Sequence, residues 1–202
     1  GARQFKYPPF AALAFTPLAL FPLPVASVLF SLLNLGLWVA AVFLTRDILG
    51  RTFPDRNPSP LPLALAVILT AQFFLDNFHH VQVNGITFVL ALLGVRAYLR
   101  DHDLRAALAI VAATAFKITP IFFAAWLVIR GRRRAALSVF PIALACLLVP
   151  LLLRGPSSGA AELVEYYHTF LEGHQHGEVG SYTAGQNIAA LVSRMTRPPG
   201  SP

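Results

Sequence analysis

The chain has 202 residues, of which 56% are hydrophobic and 12% charged, and its formal net charge is +7. Soluble domains carry about 25% charged residues, so this composition excludes an ordinary soluble protein and predicts a polytopic membrane protein. The positive charge does not predict nucleic-acid binding. The basic residues stand at the ends of apolar runs, and no basic face is interleaved with aromatic residues.

The first apolar segment, residues 8–21, is too short to span a membrane and contains Pro8, Pro9 and Pro17. It predicts a helix lying near the outer interface, with Tyr7 and Phe10 as anchors. Two prolines at its start suit the first helical turn, where the backbone N–H groups have no helical partner. Because the chain shows no leader at Gly1, we expect it to be an internal part of a longer protein.

Five longer apolar runs follow, at residues 25–44, 61–75, 85–99, 106–128 and 135–153. A transmembrane helix needs roughly 20 residues. The first and last runs meet this length, whereas the second and third are short unless they extend through the polar stretch between them. We therefore predict an all-α transmembrane bundle with short, broken helices, forming a single membrane-embedded domain over residues 1–202.

Three arginine-rich loops predict the orientation of the bundle. They hold Arg46, Arg51 and Arg56; Arg96, Arg100 and Arg105; and Arg130, Arg132, Arg133 and Arg134. The positive-inside rule places all three in the cytoplasm, and residues 106–128 then cannot be a single crossing. Two solutions stay open: a re-entrant hairpin broken near residues 117–120, which we favour, or one kinked span with one arginine loop outside.

Lys117 stands inside the apolar run at residues 106–128 and is followed by Thr119 and Pro120. A lysine at membrane depth costs roughly 2.5–3.5 kcal/mol and needs a partner or a water-filled cavity. Proline removes a helix hydrogen bond, so a helix break is expected beside the charge. This combination predicts a functional site, and a lysine that snorkels to the interface is the alternative.

The stretch at residues 76–84 carries six polar side chains between two apolar runs. They are Asp76, Asn77, His79, His80, Gln82 and Asn84. Amides and imidazoles both donate and accept hydrogen bonds, which suits a hydroxyl-rich ligand. The alternative is a solvated loop with helix caps at Asp76 and Asn84.

After residue 153 the chain turns polar, and residues 154–186 are predicted to form an extracytoplasmic loop region. Residues 154–159 are expected to be a loop and residues 160–171 an amphipathic helix. His174 and His176 stand two residues apart, and no His-Glu-x-x-His spacing supports zinc, so we predict no metal site.

Several short motifs occur together in a fixed order. Tyr7-Pro8-Pro9-Phe10 precedes Thr16-Pro17, Gln82-Val83-Asn84 opens an apolar helix, Phe116-Lys117-Ile118-Thr119-Pro120 precedes an arginine-rich loop, and Gly185-Gln186-Asn187-Ile188 comes late. In this order the motifs resemble those of family 87 of the GT-C glycosyltransferases. The sequence departs from the family at Val81, where glycine is usual, and in the late motif.

The resemblance implies transfer of a hexose, mannose, from a polyprenyl-phosphate donor to an extracytoplasmic glycan or glycolipid acceptor. It implies a multi-pass protein of the bacterial plasma membrane, in contact with membrane lipid, that uses neither a cofactor nor nucleic acid. Lys117 would bind the donor phosphate, and the general base would lie upstream of Gly1. The substrate-binding residues would be Tyr7, His80, Gln82, Asn84, Gln186 and Asn187.

Two other classes of protein fit part of the pattern. Secondary transporters also contain broken helices with a buried charge, but we find no internal repeat. A non-catalytic membrane protein of envelope assembly would not require Lys117.

Overall fold

The structure is a computed structural model, and it describes residues 9–55, 59–79 and 82–168. These residues form eight α-helices and two 3-10 helices, with no strand among them. The α-helices are α1 (Pro9–Phe15), α2 (Leu23–Thr52), α3 (Pro60–His79), α4 (Asn84–Leu99), α5 (Asp103–Phe116), α6 (Phe122–Ile129), α7 (Arg133–Arg154) and α8 (Pro156–Tyr166); the 3-10 helices are Thr16–Leu20 and Thr119–Ile121. The predicted all-α fold is confirmed.

Three helices of the described residues are long and apolar enough to cross a membrane: Leu23–Thr52, Pro60–Phe78 and Arg133–Arg154. Their large apolar side chains point outward; Leu69 is 76% exposed and Phe140 75% exposed. Apolar surface of this extent is not left facing water. The molecule is therefore a multi-pass membrane protein.

Helices α4 and α5 form the centre of the bundle and pack closely against each other, with α2 against α4 and α7 against α5. Small residues make the approach close: Ala106, Ala107 and Ala113 are fully buried. A Cβ added at Gly94 on α4 would lie 3.0 Å from Ile110 Cγ1 on α5. Helix interfaces in membranes use small residues in this way.

The three arginine-rich regions meet at one end of the bundle, here named the arginine end. Asp47 near the end of α2 accepts hydrogen bonds from Arg51 at 3.1 Å and from Arg96 of α4 at 2.6 Å, and Arg100 lies 3.6 Å away. Arg132, which precedes α7, pairs with Asp101. The described arginines of the three regions thus lie at one end of the bundle, Arg56 lies outside the described residues, and the cytoplasmic location stays a prediction.

The segment at residues 106–128 is a hairpin of two helices. Helix α5 ends at Phe116, Lys117 is extended with φ −155° and ψ 132°, and α6 then returns toward the arginine end. The return is shown by Trp126, whose ring lies 4.4 Å from that of Tyr98, and by the Arg132–Asp101 pair. The turn of the chain at Lys117 that the re-entrant prediction requires is present, and the course of the segment through a membrane stays a prediction.

Two predictions at the ends of the chain need correction. Residues 154–159 are not a loop: Gly155 turns the chain with φ +84°, and α8 begins at Pro156, where proline suits the first turn. Gly159 then packs on α7, since a Cβ there would lie 2.6 Å from Leu151 Cα. Arg154 and Glu162 form an ion pair across the turn. The predicted loop region continues beyond residue 168, outside the described residues.

The N-terminal segment is also not a single interfacial helix. It divides into α1 and the 3-10 helix Thr16–Leu20, with Pro17 early in the second element. Helix α1 packs on α5, α7 and α8, and Ala11 is fully buried. The segment therefore forms part of the bundle, at the end opposite the arginines.

Candidate functional site

Lys117 lies at the break between α5 and the following 3-10 helix, and its side chain is exposed. Its ammonium Nζ donates a hydrogen bond of 3.0 Å to Asn84 Oδ1, at the first residue of α4. No ion pair of the described residues involves Lys117. The lysine is thus held in place by a neutral amide while keeping its full charge uncompensated by a carboxylate.

Gln82 completes a short chain of polar groups with Asn84 and Lys117. Asn84 Nδ2 donates a hydrogen bond of 2.5 Å to Gln82 Oε1, while Asn84 Oδ1 accepts from the lysine. The Gln82 backbone N–H donates to the Asn77 carbonyl at 3.0 Å. Three of the residues predicted as site residues therefore meet at one place, here named the lysine end; their roles stay predictions.

Aromatic side chains pack next to the lysine end. Phe15, which precedes the first 3-10 helix, lies edge-on to Phe30 at 5.8 Å and to Phe116 at 5.9 Å between ring centroids. Phe30, Phe116 and Val83 are buried in the same cluster. Because Phe116 and Val83 flank Lys117 and Asn84 in the sequence, the cluster fixes the backbone on both sides of the polar contact.

A pair of buried amides, one from α2 and one from α3, lies beside the start of α4. Asn34 of α2 and Asn77 of α3 are 2% and 1% exposed. Asn77 Nδ2 donates to Asn34 Oδ1 at 3.3 Å, and Asn34 Nδ2 donates to the Phe30 carbonyl at 3.1 Å. Trp38 Nε1 and Asn77 Oδ1, both buried nearby, have no hydrogen-bond partner. Buried amides that pair across helices stabilise membrane bundles.

The sequence analysis missed Asn34, although a signal was present. An amide in the middle of an apolar run costs free energy unless it finds a hydrogen-bond partner, so Asn34 predicts a polar neighbour on another helix. Asp47 was missed for a similar reason. It stands beside Arg46 in an arginine-rich region, so its own role was not considered. In the structure, its carboxylate pairs with Arg51 of α2 and Arg96 of α4.

The alternative interpretation of residues 76–84 as a capped, solvated loop is wrong. Helix α3 continues through Asp76 and Asn77 to His79, so these residues are helical. The cap position of α4 is Val83, without a side-chain hydrogen bond. Asn84 instead directs its amide to Lys117 and Gln82.

The other predicted site residues, Tyr7, His80, Gln186 and Asn187, lie outside the described residues, as do His174 and His176. In residues 9–55, 59–79 and 82–168, no group of three or more His, Cys, Asp or Glu side chains is placed to hold a metal ion.

The two ends of the bundle differ in their chemistry. At the arginine end, Asp47 and Asp101 pair with several of the arginines, and the hydrogen bond to Asp101 raises the pKa of Arg132 above its usual value. At the lysine end, the ammonium of Lys117 contacts one amide, that of Asn84, among the described residues. An ammonium carries three N–H donors, and within the described part of the chain one of them is used. The lysine end is therefore suited to bind an anion.

The described residues define an all-α, multi-pass membrane protein with an exposed lysine at a helix break. The comparison with known families makes the assignment specific. The model of Glycosyltransferase family 87 matches residues 5–201. The chain belongs to this family.

Three curated proteins are similar to the chain. A polyprenol-phosphate-mannose-dependent alpha-(1-2)-phosphatidylinositol mannoside mannosyltransferase of Mycobacterium tuberculosis is 30% identical over 95% of this chain and 46% of its own length. The protein of the same name from Mycolicibacterium smegmatis is 27% identical over 95% of this chain and 44% of its own length. An alpha-(1-2)-phosphatidylinositol pentamannoside mannosyltransferase from another Mycobacterium tuberculosis strain is 29% identical, with 42% of its length covered.

The chain therefore spans somewhat less than half the length of the curated relatives it matches. No solved structure matches the chain.

Proposed function

We propose that the protein is a membrane mannosyltransferase that uses a polyprenyl-phosphate mannose donor, and that Lys117 binds the phosphate of this donor. The acceptor is a glycan or glycolipid on the extracytoplasmic side of a bacterial plasma membrane. The observation that carries the proposal is the hydrogen bond from Lys117 Nζ to Asn84 Oδ1, which holds an uncompensated cation at the lysine end. The names of the similar proteins supply the class of donor.

The depth of Lys117 suits a lipid-linked phosphate. Helix α5 has 14 residues between the arginine end and the lysine, which is roughly 21 Å at 1.5 Å per residue. With the arginine end at the cytoplasmic surface, Lys117 lies in the outer third of a hydrocarbon core about 30 Å thick. A phosphate whose polyprenyl chain stays in the bilayer reaches this depth, whereas a soluble nucleotide sugar does not.

The proposed reaction is a displacement at the anomeric carbon of the donor, in which Lys117 acts on the leaving phosphate. The acceptor hydroxyl attacks the anomeric carbon, the bond from that carbon to the phosphate oxygen breaks, and polyprenyl phosphate leaves with the bonding electrons. The acceptor proton passes to a general base. Lys117 stabilises the negative charge that grows on the leaving phosphate, and a charge interaction of this kind is stronger near the bilayer than in water.

Gln82 and Asn84 have a different role in the proposal. Asn84 orients the ammonium, and both amides present groups that hydrogen-bond to sugar hydroxyls. The two amides are already joined to each other, so a sugar would meet a preorganised pair.

The test uses the protein expressed from its complete coding sequence, in membranes supplied with a short-chain polyprenyl-phosphate mannose. Lys117→Met removes the ammonium while roughly conserving volume, and we expect mannose transfer to fall at least about tenfold, since about 1.4 kcal/mol suffices for that. Arg46→Gln is the control: it removes one cation from the arginine end, and transfer should stay unchanged. Lys117→Arg should rescue in part, because a planar guanidinium replaces a compact ammonium.

Two failures are distinguishable. If Lys117→Met retains full transfer and donor binding at matched abundance, the lysine does not hold the phosphate, but the enzyme assignment stands. If the unaltered protein transfers no hexose from any polyprenyl-phosphate donor, the proposed activity itself is wrong.

A further inference from the structure

A groove of about 520 Å³ lies between α4 and α5 at the arginine end. Its volume is in the range of small-molecule sites, roughly 300–1,000 Å³. The surface that lines the groove is almost wholly apolar, and the arginines contribute mainly their carbon stems. Leu90, Leu93 and Leu108 line one part, and Arg100, His102 and Arg105 line the part at the arginine end.

The cations of the groove are not all neutralised. Arg96 also lines it, but its Nε is held by Asp47 at 2.6 Å. Arg100 lies farther from the same carboxylate, with 3.6 Å between its Nη2 and Asp47 Oδ2. Arg105 is exposed, and no ion pair of the described residues includes it. Asp47 is shared by Arg51, Arg96 and Arg100, and Arg105 is outside the ion pairs of the described residues, which leaves a net positive charge at this end of the groove.

The two neighbouring carboxylates do not change this balance. Asp101 is paired with Arg132, and Asp103 lies 3.9 Å from the same guanidinium. They are drawn toward the start of α7, and neither lines the groove.

We propose that this groove binds an anionic glycerophospholipid, with its phosphate at Arg100 and Arg105 and an acyl chain along Leu90, Leu93 and Leu108. The polarity of the groove carries the inference. A free phosphate would use the arginines at one end but not the apolar lining, whereas a zwitterionic lipid would bring a cation against the arginines. Basic pockets between membrane helices recognise anionic headgroups by this combination.

The proposed lipid site is separate from the lysine end. Helix α4 has 16 residues between Asn84 and the arginine end, which is roughly 24 Å. The headgroup would therefore lie in the opposite leaflet from the phosphate that we assign to Lys117. Because α4 and α5 carry both sites, a lipid in the groove also bridges the two helices on which the lysine contact depends.

The experiment measures lipid binding to the complete protein in detergent by native mass spectrometry and by the midpoint of thermal unfolding. Dioctanoyl phosphatidylglycerol is compared with dioctanoyl phosphatidylcholine, which has the same chains, and with glycerol 3-phosphate, which has the headgroup charge alone. We expect phosphatidylglycerol to bind and raise the midpoint, and the other two to do so at least about tenfold less tightly.

The matched variants are Arg100→Gln with Arg105→Gln, and Arg134→Gln with Arg46→Gln as the control pair. Both pairs remove two exposed or half-exposed arginines from the arginine end, but only the first pair lines the groove. The first pair should weaken phosphatidylglycerol binding about 25-fold, at about fivefold for each basic residue. The control pair should leave it within about twofold.

Leu108→Trp tests the apolar half independently of charge. Leu108 is 47% exposed, so the larger side chain fills the groove without entering the core, and phosphatidylglycerol binding should be lost. Equal binding of phosphatidylcholine, equal binding of glycerol 3-phosphate, or binding that survives both variants would overturn the proposal. So would a groove that prefers undecaprenyl phosphate to phosphatidylglycerol.

Discussion

Asn34 and Gly85 approach each other so closely that the glycine has no room for a side chain. A Cβ added at Gly85 would lie 2.7 Å from Asn34 Oδ1 and 3.6 Å from Trp38 Nε1. Asn34 does not move aside freely, because its amide donates to the Phe30 carbonyl and accepts from Asn77. The contact therefore fixes the position of α4 at the residue next to Asn84.

Gly85→Ala should consequently destabilise the bundle. Overpacking of a tight site costs about 1–3 kcal/mol, so we expect a lower midpoint of thermal unfolding and, through the shifted Asn84, weaker mannose transfer. Gly36→Ala is the control, since Gly36 also lies in a helix but has nothing within 4 Å of its added Cβ. That variant should be neutral or stabilised by up to about 1 kcal/mol. Equal midpoints for the two variants would contradict the close contact.

The coupling between Lys117 and Asn84 gives a second prediction. If Asn84 acts on transfer partly by orienting the ammonium, the losses caused by Lys117→Met and Asn84→Ala should not add. The double variant should transfer mannose no more than about threefold more slowly than Lys117→Met alone. Gln82→Ala, which leaves the lysine contact in place, serves as the comparison. Fully multiplicative losses in the Lys117 and Asn84 pair would mean that the two residues act independently.

The hairpin predicts the accessibility of introduced cysteines. With Cys146 replaced by serine, cysteines at His102 and Arg130 should both resist a membrane-impermeant thiol reagent in intact cells, because both positions lie at the arginine end. A cysteine at Ser157, beyond the far end of α7, should react. Labelling of only one of the first two positions would show that residues 106–128 cross the membrane once.

Asp47 should stabilise the arginine end through its bonds to α2 and α4. We expect Asp47→Asn to lower the midpoint of thermal unfolding, because Arg51 and Arg96 lose their shared carboxylate. Asp55→Asn is the control, since Asp55 is exposed and outside the ion pairs of the described residues. If both substitutions leave the midpoint unchanged, the Asp47 contacts contribute nothing to stability.

The break at Lys117 was predictable because local rules decide it. A proline three residues after a lysine, in a run bounded by arginines on both sides, leaves few arrangements that satisfy both charge and hydrogen bonding. Charge parity favoured the reversal of the chain and left a single kinked span as the alternative. Neither conclusion needed knowledge of which helices touch.

The contacts between helices were not predictable in the same way. Asn34 and Asn77 are 43 positions apart, and Asp47 and Arg96 are 49 positions apart. Such pairs depend on the rotation of each helix about its axis, which an almost uniformly apolar sequence does not specify. Even the start of α8 was misjudged, because Pro156 and Gly159 favour a loop locally but fit a helix packed on α7.

The short arms of the hairpin bear on how the protein is made. Helix α5 has 14 residues and α6 has 8, and neither is long enough to be retained alone as a membrane-spanning segment. Helix α7 contacts both arms. Stable insertion of the arms during synthesis therefore requires the flanking helices. We expect helices α5 and α6 to insert into the bilayer together, after the helices that flank them. Lys117 would then reach its final depth only after Asn84 is in place.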